Sequence, residues 1–124
     1  MQDKETGSPE FRRSVELQDQ MEKIGGRFLD RVLADFEAME KALQELRSGD
    51  AAAAGALEMF AHRIHGSSAI FGFAAVSEAA GALEALLTAV RSQGDPVAAV
   101  PDVARHMAAV RTAAEAARAG RAAT

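Results

Sequence analysis

The sequence predicts an all-α chain: an antiparallel up-down-up-down four-helix bundle with a short additional N-terminal helix. Three observations carry that expectation. Apolar residues recur at intervals of three and four along nearly the whole chain. Glycine, aspartate and proline punctuate those runs as stop and start signals. No segment alternates apolar and polar residues between hairpin turns, so strands are not expected.

In chain order, Ser14 is placed to cap a short helix over about 15–24, with Leu17, Met21 and Ile24 at helical spacing. Gly25-Gly26 reads as a bend. A long helix over about 27–47 then carries the widest apolar stripe: Leu29, Val32, Leu33, Phe36, Met39, Leu43 and Leu46. Gly49 reads as its C′ residue and Asp50 as the next N-cap. The third helix covers about 51–71 and ends at Gly72. The fourth covers about 74–93, with Val76, Ala80, Leu83, Leu87 and Val90 on its buried side. Gly94-Asp95-Pro96 closes it. Pro101-Asp102 repeats a start signal, and the last helix is expected over about 102–119, with Val103, Met107, Val110, Ala114 and Ala117 inward. Joints this short imply antiparallel neighbours.

The 124 residues are the length of one domain with a modest core. The net charge of −4 argues against nucleic acid as a partner, because phosphate binding requires clustered Lys and Arg. The acidic excess lies in residues 1–50, with twelve acids against eight bases. The absence of cysteine removes disulfides, thiolate catalysis and cysteine-type zinc sites, and fits a cytoplasmic location. No stretch approaches about 20 uninterrupted apolar residues, so no membrane span is expected, and the charged N-terminus is unlike a secretory signal. Residues 7–11, Gly-Ser-Pro-Glu-Phe, match what two adjacent cloning sites encode. Residues 1–11 therefore read as an expression remnant or a disordered tail, 12–120 as the bundle domain and 121–124 as a tail.

The most informative stretch is 61–73, AHRIHGSSAIFGF. Ala61, Ile64, Ser68 and Phe71 share one helix side, which Leu57 and Phe60 extend backwards. His62 and His65 lie off that side, with Glu58 one turn before His62 and Gly66 one turn after it. A glycine within a helix costs about 1 kcal/mol relative to alanine. Room for a partner to approach His62 would justify Gly66. Taken alone, two histidines three apart are most often a solvated surface pair. A transition-metal site would use Glu58, His62 and His65, but no fourth ligand suggests itself and the H-E-x-x-H pattern is absent.

The stretch resembles the histidine-containing phosphotransfer (HPt) domain, whose signature runs A-H-x-[LI]-K-G-[SG]-[SA]-x-x-x-G. Here it reads Ala61-His62-Arg63-Ile64-His65-Gly66-Ser67-Ser68, followed by Gly72. The Phe71-Gly72-Phe73 ending is similar to the N-terminal phosphotransfer domain of chemotaxis-type histidine kinases. The resemblance implies that His62 carries a phosphoryl group within a two-component phosphorelay. The donor would be a histidine kinase, hybrid or not, or a receiver-domain phosphoaspartate, and the acceptor a response-regulator receiver domain. It implies no cofactor in this chain, the Mg²⁺ coming with the receiver, and a monomer. Leu83-Glu84 matches the family's common L-E pair, so the resemblance points to Glu84 as the acceptor that holds Nδ1 of His62 and leaves Nε2 outward. Docking would use Glu58, Arg63, Gly66, Ala69 and Phe73 around the histidine, although Phe73 could equally be a buried staple.

One position departs from the pattern: His65 stands where the family has a lysine facing the phosphoryl oxygens. With a reference pKa of about 6.5, an imidazole there would be partly charged at neutral pH. Either it is a weaker, pH-sensitive substitute recruited by the phosphoryl charge, or transfer relies on the partner alone. No nucleotide-binding glycine loop or kinase signature is present, so the chain would be a phosphohistidine carrier without ATP-dependent kinase activity. The rival reading is a non-catalytic HPt-like module that binds a kinase or receiver without carrying phosphate. His106 reads as ordinary surface, and Arg105, Arg111, Arg118 and Arg121 as a solvated face.

Overall fold

The computed structural model describes residues 8–122, and all its regular structure is helical: α1 Pro9–Arg47, α2 Ala52–Ile70, α3 Ala74–Gln93 and α4 Pro96–Ala122. Residues 1–7 of the suggested remnant and residues 123–124 of the suggested tail lie outside the described residues.

The expected bend at Gly25-Gly26 does not occur. α1 is one helix of 39 residues, and its 15–24 segment is the first part of that helix instead of a separate element. Ser14 is accordingly interior, and Ser8 is the cap, accepting a hydrogen bond from the Phe11 amide at 3.0 Å, with Pro9 at a position that needs no donor. The glycines serve close approach. Gly25 is buried, and a Cβ there would meet the Phe73 ring at 3.3 Å. One at Gly26 would meet the Arg121 guanidinium at 3.5 Å, and that guanidinium donates to the Glu22 carbonyl. The helix accepts two weak formers because the chain end and an aromatic ring pack over them. Residues 9–24 are exposed throughout, Leu17, Met21 and Ile24 included.

Gly49, at φ 96°, turns the chain out of α1. Asp50 Oδ1 then accepts from the Ala52 amide at 3.0 Å. Gly72, at φ 78°, performs the same turn after α2, where the Phe73 amide donates to the Ser68 carbonyl at 2.9 Å. The last helix starts at Pro96, earlier than the expected residue 102. Asp95 Oδ1 accepts from the Val97 amide at 3.1 Å and the Ala98 amide at 3.4 Å, which makes Asp95 the cap. Pro101 lies within α4 and forfeits a single bond near its start. Burial of Val100 and Val103 on either side holds the segment down.

The core holds most of the stripes read from the sequence: Leu29, Val32, Phe36, Met39, Leu43 and Leu46 from α1, Leu57, Ala61 and Ile64 from α2, Val76, Ala80, Leu83, Leu87 and Val90 from α3, and Val103, Met107, Val110 and Ala114 from α4. Ala42, Ala53, Ala54 and Val100 join them, while Phe60 and Phe71 of the expected α2 stripe are only partly buried. Leu33 and Ala117 pack at its margin. Each helix packs against its chain neighbours, and α1 packs against α4. The contacts run in opposed order along two of these pairs. Asp30 meets Arg118 at 3.4 Å, while Arg111 lies over the Phe36 ring at 4.6 Å. On α2 and α3, Glu58 meets Arg91, His62 meets Glu84 and His65 meets Ser77. No described helix is long and apolar enough to cross a membrane.

Candidate functional site

The apolar side of α2 dictates where its histidines go. With Leu57, Ala61, Ile64 and Ser68 buried, residues 58, 62 and 65 fall on the flank that borders α3. On α3, burial of Ala80, Leu83, Leu87 and Val90 places Ser77, Gly81, Glu84, Thr88 and Arg91 on the flank that borders α2. Two polar stripes with three- and four-residue steps therefore face one another.

At the middle of this seam, His62 Nδ1 lies 2.6 Å from Glu84 Oε2. The histidine side chain is 76% exposed and the carboxylate only 26%. A proton on Nδ1 donated to Glu84 leaves the Nε2 lone pair on the solvent side. A shallow concavity of about 380 Å³ opens beside the ring, lined by Glu58, Met59, His62, Arg63 and Glu84.

The second carboxylate of that concavity is tied down. Glu58 accepts from the Thr88 hydroxyl and from the Arg91 guanidinium. These bonds, Thr88 first and Arg91 next, hold the Glu58 carboxyl below the usual carboxylate range against the opposite pull of burial. Arg91 thus offsets a negative charge that would otherwise stand next to any anion arriving at His62. On the other side of the helix, Arg63 lies over the Phe60 ring at 5.1 Å and pairs with Asp35 at 3.2 Å. Gly66 is exposed, and nothing would lie within 4 Å of a Cβ built there.

Not all the sequence-derived candidates gather here. His65 is half-buried, with Nδ1 2.8 Å from the Ser77 carbonyl oxygen, and it lines a different concavity with Ala69, Gly72, Ala74, Ser77 and Glu78. Phe73 stacks on Phe28 at 6.2 Å with the rings 6° apart, next to Phe71 and under Arg121. It sits half-buried at the bundle end, as the N-cap residue of α3. His106 bonds back to the Asp102 carbonyl of its own helix at 2.8 Å. Among the described residues, no three His, Cys, Asp or Glu side chains are placed to share a metal ion.

Sequence reasoning missed Thr88, Arg91, Met59 and Gly81. The steps 77, 81, 84, 88, 91 were visible as a polar stripe through Glu84 and would have found three of them; Met59 carried no signal beyond its exposed register.

The site is thus an exposed imidazole, braced through Nδ1 by a carboxylate of the neighbouring helix. The family model for the Hpt domain matches residues 13–120, and the chain belongs to that family. Hpt domains act in histidine phosphotransfer within two-component signalling, with kinases and receiver domains as partners. No curated protein and no solved structure matches the chain.

Proposed function

We propose that His62 accepts a phosphoryl group from a kinase or a receiver-domain phosphoaspartate and delivers it to a receiver-domain aspartate. The observation that carries this reading is the Nδ1–Glu84 contact on a ring that is otherwise open to solvent. The Nε2 lone pair attacks phosphorus in line with the departing oxygen of the donor. As the P–N bond forms, the P–O bond breaks and the donor oxygen leaves with its electron pair, as the aspartate carboxylate of a receiver or as the nucleoside diphosphate held by a kinase. The ring becomes a phosphorylated imidazolium, and Glu84 stabilises its positive charge through the Nδ1 proton. Delivery is the reverse, with the receiver aspartate as nucleophile. Little else is required of this chain, because phosphoryl transfer depends mainly on positioning and charge stabilisation.

The receiver brings the Mg²⁺, and no cofactor resides in this domain. The docking surface is the open concavity with Glu58, Met59, Arg63 and the bare backbone at Gly66, reached from the solvent side of α2. The opposed contact order along the α1–α4 and α2–α3 pairs supports an up-down-up-down bundle, and we read the carrier as a monomer in the cytoplasm. Incubation with a phosphorylated receiver domain tests the reading: it predicts an acid-labile, base-stable label that His62→Gln abolishes. Stable binding of the receiver with no label would instead make the chain a non-catalytic interaction module.

A further inference from the structure

The polar seam between α2 and α3 has three levels: Glu58 with Thr88 and Arg91, His62 with Glu84, and His65 with Ser77 and Gly81. The third level differs from the others in being set by shape. A proton on His65 Nδ1 donates to the Ser77 carbonyl oxygen at 2.8 Å. The Ser77 hydroxyl lies 3.3 Å from the same nitrogen and 3.3 Å from the His65 carbonyl. Opposite the ring stands Gly81, where a Cβ would lie 2.9 Å from both Cε1 and Nδ1 of His65. Side-chain carbon does not stand that close, so the ring occupies the space that any residue larger than glycine would need. Nearby, the small residues Ala61 of α2 and Ala80 of α3 are both fully buried. The seam is therefore narrow, and the imidazole limits how near α3 comes at this level.

Gly81 precedes Glu84 by one turn, and His65 follows His62 by one turn. A change of spacing at the first pair displaces the second. We propose that His65 is a positioning residue: its ring, tied to the Ser77 carbonyl and seated on Gly81, sets the spacing and register of α2 and α3 at which Glu84 meets Nδ1 of His62. The consequence for transfer rests on the reading of His62 as the phosphoryl acceptor, whereas the contact itself does not. This role replaces the supply of positive charge to the phosphoryl group. The ring faces a concavity other than that of His62, and its Nδ1 is already engaged.

Proton–nitrogen NMR of the imidazole rings, together with transfer from a phosphorylated receiver domain, tests the proposal on the full chain. In the unmodified chain His62 holds its proton on Nδ1. His65→Ala and Gly81→Ala each move His62 away from that tautomer and slow transfer about as much as Glu84→Gln does; His65→Ala added to Glu84→Gln slows it no further, because the two act through one contact. His65→Asn keeps a donor near the Nδ1 position but not the ring over Gly81, so its tautomer and transfer rate fall between those of His65→Ala and the unmodified chain. Alanine forms helix better than glycine, so loss of the tautomer in a still-helical Gly81→Ala chain reports the ring contact and not helix loss. Should that variant unfold, His65→Ala and His65→Asn decide. An unchanged His62 tautomer in His65→Ala overturns the proposal: with transfer about tenfold slower, His65 supplies charge; with transfer unchanged, it has no part. If the unmodified chain takes no phosphoryl group, the reading of His62 fails, and the tautomer measurement still decides on His65.

Discussion

The Glu84 carboxylate reaches His62 Nδ1 at 2.6 Å from the neighbouring helix, while the histidine itself remains mostly in solvent. Glu84 can hold this position because the preceding residue, Leu83, is wholly buried and fixes the local rotation of α3. A core residue and a site residue adjacent in sequence thus divide the work: one anchors and the other orients.

Replacing the carboxylate by an amide of the same size isolates its charge. Glu84→Gln is expected to leave stability nearly unchanged and to slow phosphotransfer by about 100-fold, the lower end of the range for proton-handling groups. Single-turnover transfer from a phosphorylated receiver domain measures this. An unchanged rate would remove Glu84 from the mechanism.

Gly66 separates stability from access. Nothing would lie within 4 Å of an added Cβ, and the backbone there is helical. Gly66→Ala should therefore stabilise the fold by roughly 0.5–1 kcal/mol through helix propensity. The methyl group stands one turn from His62 on the open flank, so transfer should slow in the same variant. Thermal unfolding and transfer rate measured together check the pair of effects.

Glu58 has a carboxyl held below its usual range by Thr88 and Arg91. A lowered folded-state value means that folding favours the ionised form. Its contribution is complete above the ordinary carboxylate value of about 4.3 and is lost as pH falls through the lower folded-state value. Unfolding measured against pH should show less acid sensitivity in Glu58→Gln than in the unmodified chain. Arg91→Ala should move the carboxyl back toward its ordinary value.

Truncating the anchor tests the link between core and site. Leu83→Ala removes a fully buried side chain and should cost about 2–5 kcal/mol. In chains that remain folded, the Nδ1–Glu84 contact should weaken as well, seen as a change in the His62 ring resonances.

Much of the bundle was legible because burial imprints a period on the chain. The run from Leu29 to Leu46 and the run from Val76 to Val90 are core in the structure as their spacing implied. Gly25-Gly26 misled because local propensity favours a break there. What decides is Phe73 and Arg121, brought from 48 and 96 positions beyond Gly25. Pro101 misled in the same way, since Asp95 had already started the helix and the valines around Pro101 were buried. At the site, His62 and Gly66 were visible within one helix. The brace on Glu58 and the seat of His65 on Gly81 depend on the register between two helices, and the period of either one says nothing about that offset.

The central claim is that one exposed ring nitrogen of His62 carries the phosphoryl group. Mapping the bound phosphoryl by phosphorus–nitrogen NMR and mass spectrometry, after incubation with a phosphorylated receiver domain, tests it most directly. The account predicts a single phosphoramidate on Nε2 of His62, absent from His62→Gln. A phosphoryl group on Nδ1 or on another residue, or a receiver that binds without losing its own, would contradict it.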